Sequence, residues 1–285
     1  MIRVISAGIY TTVQDLGRQG YGHLGVPISG VMDSYSAKLA NHLLGNIENE
    51  SVLEITLGNI ILLFENKLFI VISGADSQPL INDSKASMNR VLEVNAGDVL
   101  KLGKPMFGVR TYVAVKGGFQ TKEVLGSKSW FKNVTEQFLV KKGDMLPVSL
   151  QKSFKTLKNA SVRVNKEHFI TKFIEVYKGP EYGMLTEKQQ NELKNTVFTI
   201  SKDNNRMGYR LIETFENELG SMLTSSVLPG TVQLTPSGTL IVLMRDCQVT
   251  GGYPRVLQLT ENAIDRLSQK STNDTFQFKL VDLNL

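Results

Sequence analysis

The chain has 285 residues, of which 41% are apolar and 21% charged, a globular composition with enough material to bury one large core or two ordinary ones. Its net charge of +5 is spread over the whole length, with Lys141-Lys142 the longest basic cluster, so nucleic acid is excluded as the expected partner. No apolar run approaches a membrane span, the opening residues meet Asp15 too early for a leader peptide, and the single Cys247 excludes an internal disulfide; a reducing, cytoplasmic setting is expected.

Gly8–Gln14 is predicted as a strand from its β-branched and aromatic residues. A long stretch with five glycines (Gly17, Gly20, Gly22, Gly25 and Gly30) follows, carrying Asp15, Arg18, His23, Ser29 and Asp33. Irregular segments of that length inside a domain are usually functional, so it reads as a site loop. Asp33 or Ser34 is predicted to cap a helix through Leu39, Ala40, Leu43 and Leu44 that stops at Gly45-Asn46. Val52–Leu57 and Asn59–Phe64 flank Gly58 as a hairpin or bulge, and Leu68–Ser73 runs into the turn Gly74-Ala75-Asp76. Further strands are predicted at Val91–Val94, Asp98–Leu102 and Gly108–Lys116, the last with two alternating faces. Thr121–Lys142 has no clear period, and Leu146-Pro147-Val148 reads as an edge strand.

Residues 151–160 turn polar and basic, a candidate linker between a half at 1–150 and a half at 161–285. The second half offers strands at Ser161–Val164, Phe173–Tyr177 and Thr196–Ile200, and a helix capped by Thr186 with Gln189 three residues on. Ser201–Leu211 reads as a polar turn, Leu240–Met244 as a central strand, Glu261–Gln269 as a helix and Thr275–Leu280 as a final strand with Phe276 and Phe278 on one face. Many short strands and about three helices predict a mainly β architecture of barrels, not βαβ winding.

Gly20–Gly25 matches G-x-G-x-x-G, but Pro27 and more loop stand where a dinucleotide fold needs a helix. Gly97–Lys104 has the wrong spacing for a P-loop, and Pro105 replaces its hydroxyl residue. His23, His42 and His168 offer no metal-ligand spacing. His23 is as readily a loop residue as a ligand contact. Asp15 and Arg18 are either a salt bridge locking the turn or substrate contacts. Asp33 is equally a helix cap, while Ser29, Gly30 and the other loop glycines could turn N–H groups toward an anion, aided by the positive end of the helix. In Met244–Pro254, alternation from a strand would put Asp246 and Gln248 on one face, with Arg245 and Thr250 nearby. Gly251-Gly252 would bring the chain close to something, Tyr253 could stack on a ligand, and Cys247 reads as a buried filler.

The motifs TVQDLGRQGYGHLGVPISGVMD, LANHLLGN, LEITLG, SGAD, VAVKGGF, NRMGYRL and PGTVQLTPSGTLIVLMRDCQVTGGYPRV together resemble the allophanate-hydrolase-subunit-2 family, also called the biotin-dependent carboxyltransferase-like family. The resemblance implies cyclophilin-like β-barrels in two barrel-like halves. Stand-alone bacterial members include the C subunit of 5-oxoprolinase and the kinase-inhibitor antagonist KipA. For a chain with no biotin-attachment Met-Lys-Met, the implied activity is the first of these: ATP-dependent cleavage of 5-oxo-L-proline to L-glutamate. It implies a subunit-1-like B partner (KipI-like), an A-type (LamB/YcsF-like) partner, a small amide substrate, and ATP held with or by a partner. A KipA-like regulatory role and a carboxyltransferase using biotin in trans are the alternatives.

On that resemblance Asp15, Arg18, Asp33 and Asp246 are the expected catalytic residues. His23, Ser29, Gly30, Arg206, Gln248, Thr250 and Tyr253 are the expected substrate contacts. Three departures stand out: Glu181 where Gly-Pro-Gln is usual, Asn205 for an aspartate before Arg206, and WFKNVTEQFLV for a glycine-rich segment after Ser129.

Overall fold

The computed structural model describes residues 1–149, 162 and 164–282. The expected linker at 151–160 and half of the strand expected at Ser161–Val164 lie outside the described residues. The chain packs as two units, one of Met1–Arg18 with Ser29–Phe169, the other of Gln19–Ile28 with Ile170–Leu285. It is mainly β, with four α-helices among the described residues.

The first unit holds β1 (Ile2–Ala7), β2 (Tyr10–Gln14), α1 (Ser34–Leu44), β3 (Val52–Thr56), β4 (Ile60–Phe64), β5 (Leu68–Gly74), β6 (Leu80–Ile81), β7 (Ser84–Lys85), β8 (Leu92–Val94), β9 (Val99–Leu102), β10 (Arg110–Val115) and β11 (Met145–Leu146). These make one sheet in the order β11-β1-β4-β9-β6-β7 and another in the order β2-β3-β10-β5-β8. Their inner faces share a core that includes Ile2, Val4, Leu53, Ile55, Leu62, Phe64, Val113 and Val115. Helix α1 lays Ala37, Ala40 and Leu44 on Val52, Val71, Tyr112 and Ala114, the opposite face of the second sheet. Every residue of β10 is therefore buried, so the two-faced alternation separates two apolar environments and no solvent face exists.

The hairpin expected around Gly58 does not form. β3 pairs with β2 and β10, whereas β4 pairs with β1 and β9. Leu57, Gly58 and Asn59 all take left-handed backbone (φ 59°, 65° and 59°) and carry the chain from one sheet to the other. Gly8 makes the matching passage from β1 to β2 at φ 69°, so close to the Gly58 carbonyl that a Cβ would lie 2.5 Å from its oxygen. The unpatterned Thr121–Lys142 stretch is irregular and lies along β2, where Trp130 N–H donates to the Val13 carbonyl and Val140 N–H to that of Thr11 (both 2.9 Å).

The first unit ends at Phe169, within helix α2 (Glu167–Ile170). The second contains β12 (Phe173–Lys178), α3 (Glu187–Asn195), β13 (Phe198–Asn204), β14 (Gly208–Thr214), β15 (Ser225–Ser226), β16 (Thr231–Leu234), β17 (Thr239–Leu243), β18 (Thr250–Gly251), β19 (Arg255–Leu259), α4 (Glu261–Ser268) and β20 (Thr275–Leu280). Seven of these strands close a barrel in the order β12-β19-β16-β17-β14-β13-β20, sealed by the parallel pairing of β20 with β12. Phe198, Phe276 and Phe278 pack together in its core, with ring centroids 5.0 Å apart for the closest pair. Thr186 and Gln189 form a full capping box on α3, as their spacing predicts. Most of the expected polar turn Ser201–Leu211 is hairpin: β13 and β14 run through it, leaving Asn205–Met207 as the tip. The stretch SKDNNRMGYRL holds no β-branched residue, and only Tyr209 and Leu211 alternate with polar neighbours, so its strands carry little local signal.

Candidate functional site

In the first unit, the start of the glycine-rich stretch is held by Asp15. Its buried carboxylate accepts hydrogen bonds from Ser127 Oγ and Ser129 Oγ (both 2.6 Å), Lys128 N (2.6 Å) and Gly17 N (2.8 Å). Arg18, the largest fully buried side chain, donates to the Ser129 carbonyl. The pair thus clamps the loop onto Ser127–Ser129, and replacing Arg18 cannot leave the packing untouched. Ser29 (φ 58°) and Gly30 (φ 89°) turn the chain over Leu16 and Gly17; a Cβ on Gly30 would lie 2.8 Å from Gly17 N.

Asp33 is the N-cap of α1, accepting from Ser36 N (3.0 Å) and Ser36 Oγ (2.6 Å). The cap thus takes one N–H group at the positive end of that helix and sets its own carboxylate there. Sequence reasoning missed two partners of this corner. His168 Nε2 lies 3.0 Å from Asp33 Oδ2, with its ring against Tyr35 (centroids 4.8 Å apart). At 135 positions' separation nothing in the sequence links the two. Glu54 accepts from Met32 N (2.7 Å) and Tyr112 Oη (2.9 Å), and Tyr112 in turn accepts from Asp33 N (2.8 Å). A lone carboxylate inside the apolar run VLEITL was the available signal. Burial first, then the carboxylates of Glu54 and Asp33, push the Tyr112 phenol well above its ordinary value, so it stays protonated.

In the second unit, Gly20–Gly25 forms a 3-10 turn at Gly22–Leu24. The N–H groups of Leu24, Gly25 and Val26 are spent on the carbonyls of Tyr21 and Gly22, so these three do not face a ligand. His23 is exposed and pairs with the Gly20 carbonyl (Nδ1 to O 3.0 Å).

Strand β17 ends at Leu243, and Met244–Val249 is a turn, so alternation does not govern Asp246 and Gln248. Asp246 is buried and held by Arg206 through two bonds, Nε to Oδ2 at 2.7 Å and Nη2 to Oδ1 at 3.0 Å. Both residues were expected at a substrate; each instead neutralises the other and ties the β13–β14 tip to the turn after β17. Arg245 points elsewhere, to Glu261 (2.9 Å) and Asp265 (3.3 Å) of α4. Burial, with Asp246 adding to it, pushes the Cys247 thiol up to about 12, which makes it an inert filler against Val227 and Leu243.

Gln248 and Tyr253 do reach a common pocket. It has a volume of about 510 Å³ and lies on the outer wall of the barrel, against the residues of β14, β16 and β17 that alternate with the core-facing ones. Gly208, Arg210, Gln233 and Ile241 form this wall, and Lys202, Asp203, Asn205 and Met207 form the hairpin side. Gln233, 2% exposed, was not singled out from sequence. Its signal is a lone amide inside the strand TVQL. The Gly251-Gly252 turn approaches this side chain: a Cβ on Gly251 would lie 2.5 Å from Gln233 Nε2. Thr250 is exposed and pairs with Ser226 between β18 and β15.

Residues 24–280 match the family described as carboxyltransferase domain, subdomain A and B. The chain belongs to this carboxyltransferase-domain family. It is 36% identical to the 5-oxoprolinase C subunit of Escherichia coli over 94% of its length and 87% of that protein. It is 30% identical to the 5-oxoprolinase C subunit of Haemophilus influenzae over 99% of its length and 92% of that protein. Among solved structures, the urea amidolyase of K. lactis superposes with a TM-score of 0.86 and 28% identity, covering 99% of this chain and 19% of that one.

Two departures from the carboxyltransferase-domain pattern now have a structural account. Trp130 and Val140 of the altered segment are core residues of the first unit. Glu181 holds Arg255 through paired bonds of 3.0 and 2.8 Å, and Arg255 in turn donates to the Ser226 carbonyl (2.9 Å). The bond from Arg255 keeps the Glu181 carboxyl below its ordinary value despite some burial. A carboxyl lowered in the folded state stabilises above its unfolded pKa, and that stability is lost as pH falls through the folded value. Glu181→Gln should therefore be less stable than wild type at pH 7, with the gap closing as the pH falls below about 4. Denaturant midpoints of the two proteins at pH 7 and pH 3.5 measure this, and a gap independent of pH would exclude the pair as its source.

Proposed function

We propose that this chain is the C subunit of a 5-oxoprolinase and acts with A- and B-type subunits and ATP to open the lactam of 5-oxo-L-proline, giving L-glutamate. One observation carries the reading: the 36% identity to the E. coli protein extends over nearly the whole of both chains. Urea amidolyase, in contrast, is matched over a fifth of its chain.

The pocket on the second unit suits such a substrate. A lactam offers one N–H and one carbonyl oxygen, fixed side by side by the ring. The primary amides of Gln233 and Gln248 each carry both a donor and an acceptor, so they can meet both edges. Asn205 contributes less, because its Oδ1 already accepts from Met207 N (2.7 Å) and Gly208 N (3.3 Å). The role of this chain is to bind and orient, with the Arg206–Asp246 pair holding the two loops that frame the pocket. Asp33 and Asp246 are positioning residues in this reading, since their oxygens are engaged by protein donors.

A lactam is a poor electrophile, and ATP supplies activation at its carbonyl. Neither glycine-rich stretch has the build of a nucleotide loop: at the 3-10 turn the Leu24, Gly25 and Val26 N–H groups are spent on backbone carbonyls, and Gly97–Lys104 runs into β9 with Asp98 bonded to Asn82 and Asn95. We therefore assign ATP to a partner subunit, in a cytoplasmic complex.

Co-expression with the A- and B-type proteins, followed by assay of glutamate release from 5-oxo-L-proline with and without ATP, tests the reading. Release should require all three chains and ATP. Gln248→Leu should lower kcat/KM about 10–100-fold by removing a hydrogen bond made in the site. A stable three-chain complex that releases no glutamate would overturn the enzymatic reading in favour of regulatory binding.

A further inference from the structure

We propose that Arg210, assisted by Lys202, is the carboxylate-recognising element of this pocket, so that the site selects anionic cyclic amides over neutral ones. The inference rests on the 5-oxoprolinase reading and names the part of the substrate that the amides of Gln233 and Gln248 leave unmet.

Arg206, Arg245 and Arg255 each hold a carboxylate of this chain. Arg210 and Lys202 line the pocket, and among the described residues neither side chain has a hydrogen-bond or ion-pair partner. Arg210 lies on β14 opposite Ile241 of β17, an outward position on a wall whose alternate residues, Tyr209 and Leu211, face the core. The pairing with Ile241 therefore fixes its Cα on the β17 side, and the side chain is free to seek a ligand. Asp203 on the same rim subtracts one charge, so the pocket carries a net single positive charge, matched to a monoanion. A guanidinium binds a carboxylate through two parallel N–H bonds, whereas Lys202 acts as a point charge. The buried Gln233 amide is within the same pocket, so one small ring acid can engage both groups.

The test uses the three-chain complex and steady-state kinetics on 5-oxo-L-proline. Arg210→Met should raise KM about 10–150-fold with a much smaller change in kcat. Arg210→Lys should recover part of that loss, because it restores charge without the fork. Lys202→Met should raise KM less than Arg210→Met does. Glutamate release by Arg210→Met with an unchanged KM would overturn this inference and leave the proposed function standing. Absence of release from the wild-type complex would overturn both. Should Arg210→Met fail to assemble, Arg210→Lys and Lys202→Met carry the decision: wild-type KM values in both would overturn the assignment.

Discussion

Arg206→Ala is expected to cost the protein about 3–5 kcal/mol of stability and to disable the pocket at the same time. The guanidinium and the Asp246 carboxylate are each about 5% exposed and are joined by two hydrogen bonds. Removing one partner leaves a buried charge with no counter-ion, and that penalty exceeds the worth of the pair itself. The loss should be local in its functional effect, because the pair links Asn205–Met207 to the turn that carries Gln248. The main chain follows the same path, with Asp246 N–H donating to the Arg206 carbonyl at 2.8 Å. Replacing both residues with apolar ones, as Arg206→Met with Asp246→Leu, should be milder than either single change. Denaturant midpoints of the four proteins check this, and a single-variant loss below about 1 kcal/mol would show that the buried pair does not carry the stability assigned to it.

Asp15→Ala should be of similar size, about 3–5 kcal/mol, though for a different reason. One carboxylate satisfies two hydroxyls and two backbone N–H groups, all at the point where β2 gives way to the glycine-rich stretch. Alanine would strand those donors away from water, each at about 1–3 kcal/mol before relaxation. Asp15→Asn, which keeps the shape and one acceptor oxygen, should lose less. If Asp15→Ala retained wild-type stability and lost only turnover, the clamp would be wrong and the carboxylate would belong to the chemistry. Thermal or chemical unfolding measured beside glutamate release separates the two.

Both cases show where reading the chain by itself reached its limit. The residue types singled out in the glycine-rich stretch and in Met244–Pro254 are the polar groups that organise the two units. Charge and glycine density locate polar organisation, yet they do not say whether a carboxylate faces substrate or protein. That depends on which donors the fold brings to it. For Asp15 these come from Ser127–Ser129, for Asp246 from Arg206 and for Asp33 from Ser36 and His168. Gln233 and Arg210 show the reverse failure. In the sequence the first is one amide inside the strand TVQL and the second one charge in a polar stretch. Their place at the pocket arises from facing outward on a barrel wall, a property of closure and register.

Local signals in the sequence determined the capped helix at Ser34–Leu44, the capping box at Thr186, the central strand near Leu240–Met244, the terminal strand and the mainly β class. These rest on periodicity and on side chains bonding to backbone a few residues away, information carried within a short window. Only the tertiary structure decided that β3 and β4 belong to different sheets, that β10 is buried on both faces, that seven strands close a barrel, and that Asp246 belongs to Arg206. Each of these is a pairing over long separation, fixed by left-handed corners such as Gly58 and by the need to neutralise every buried charge.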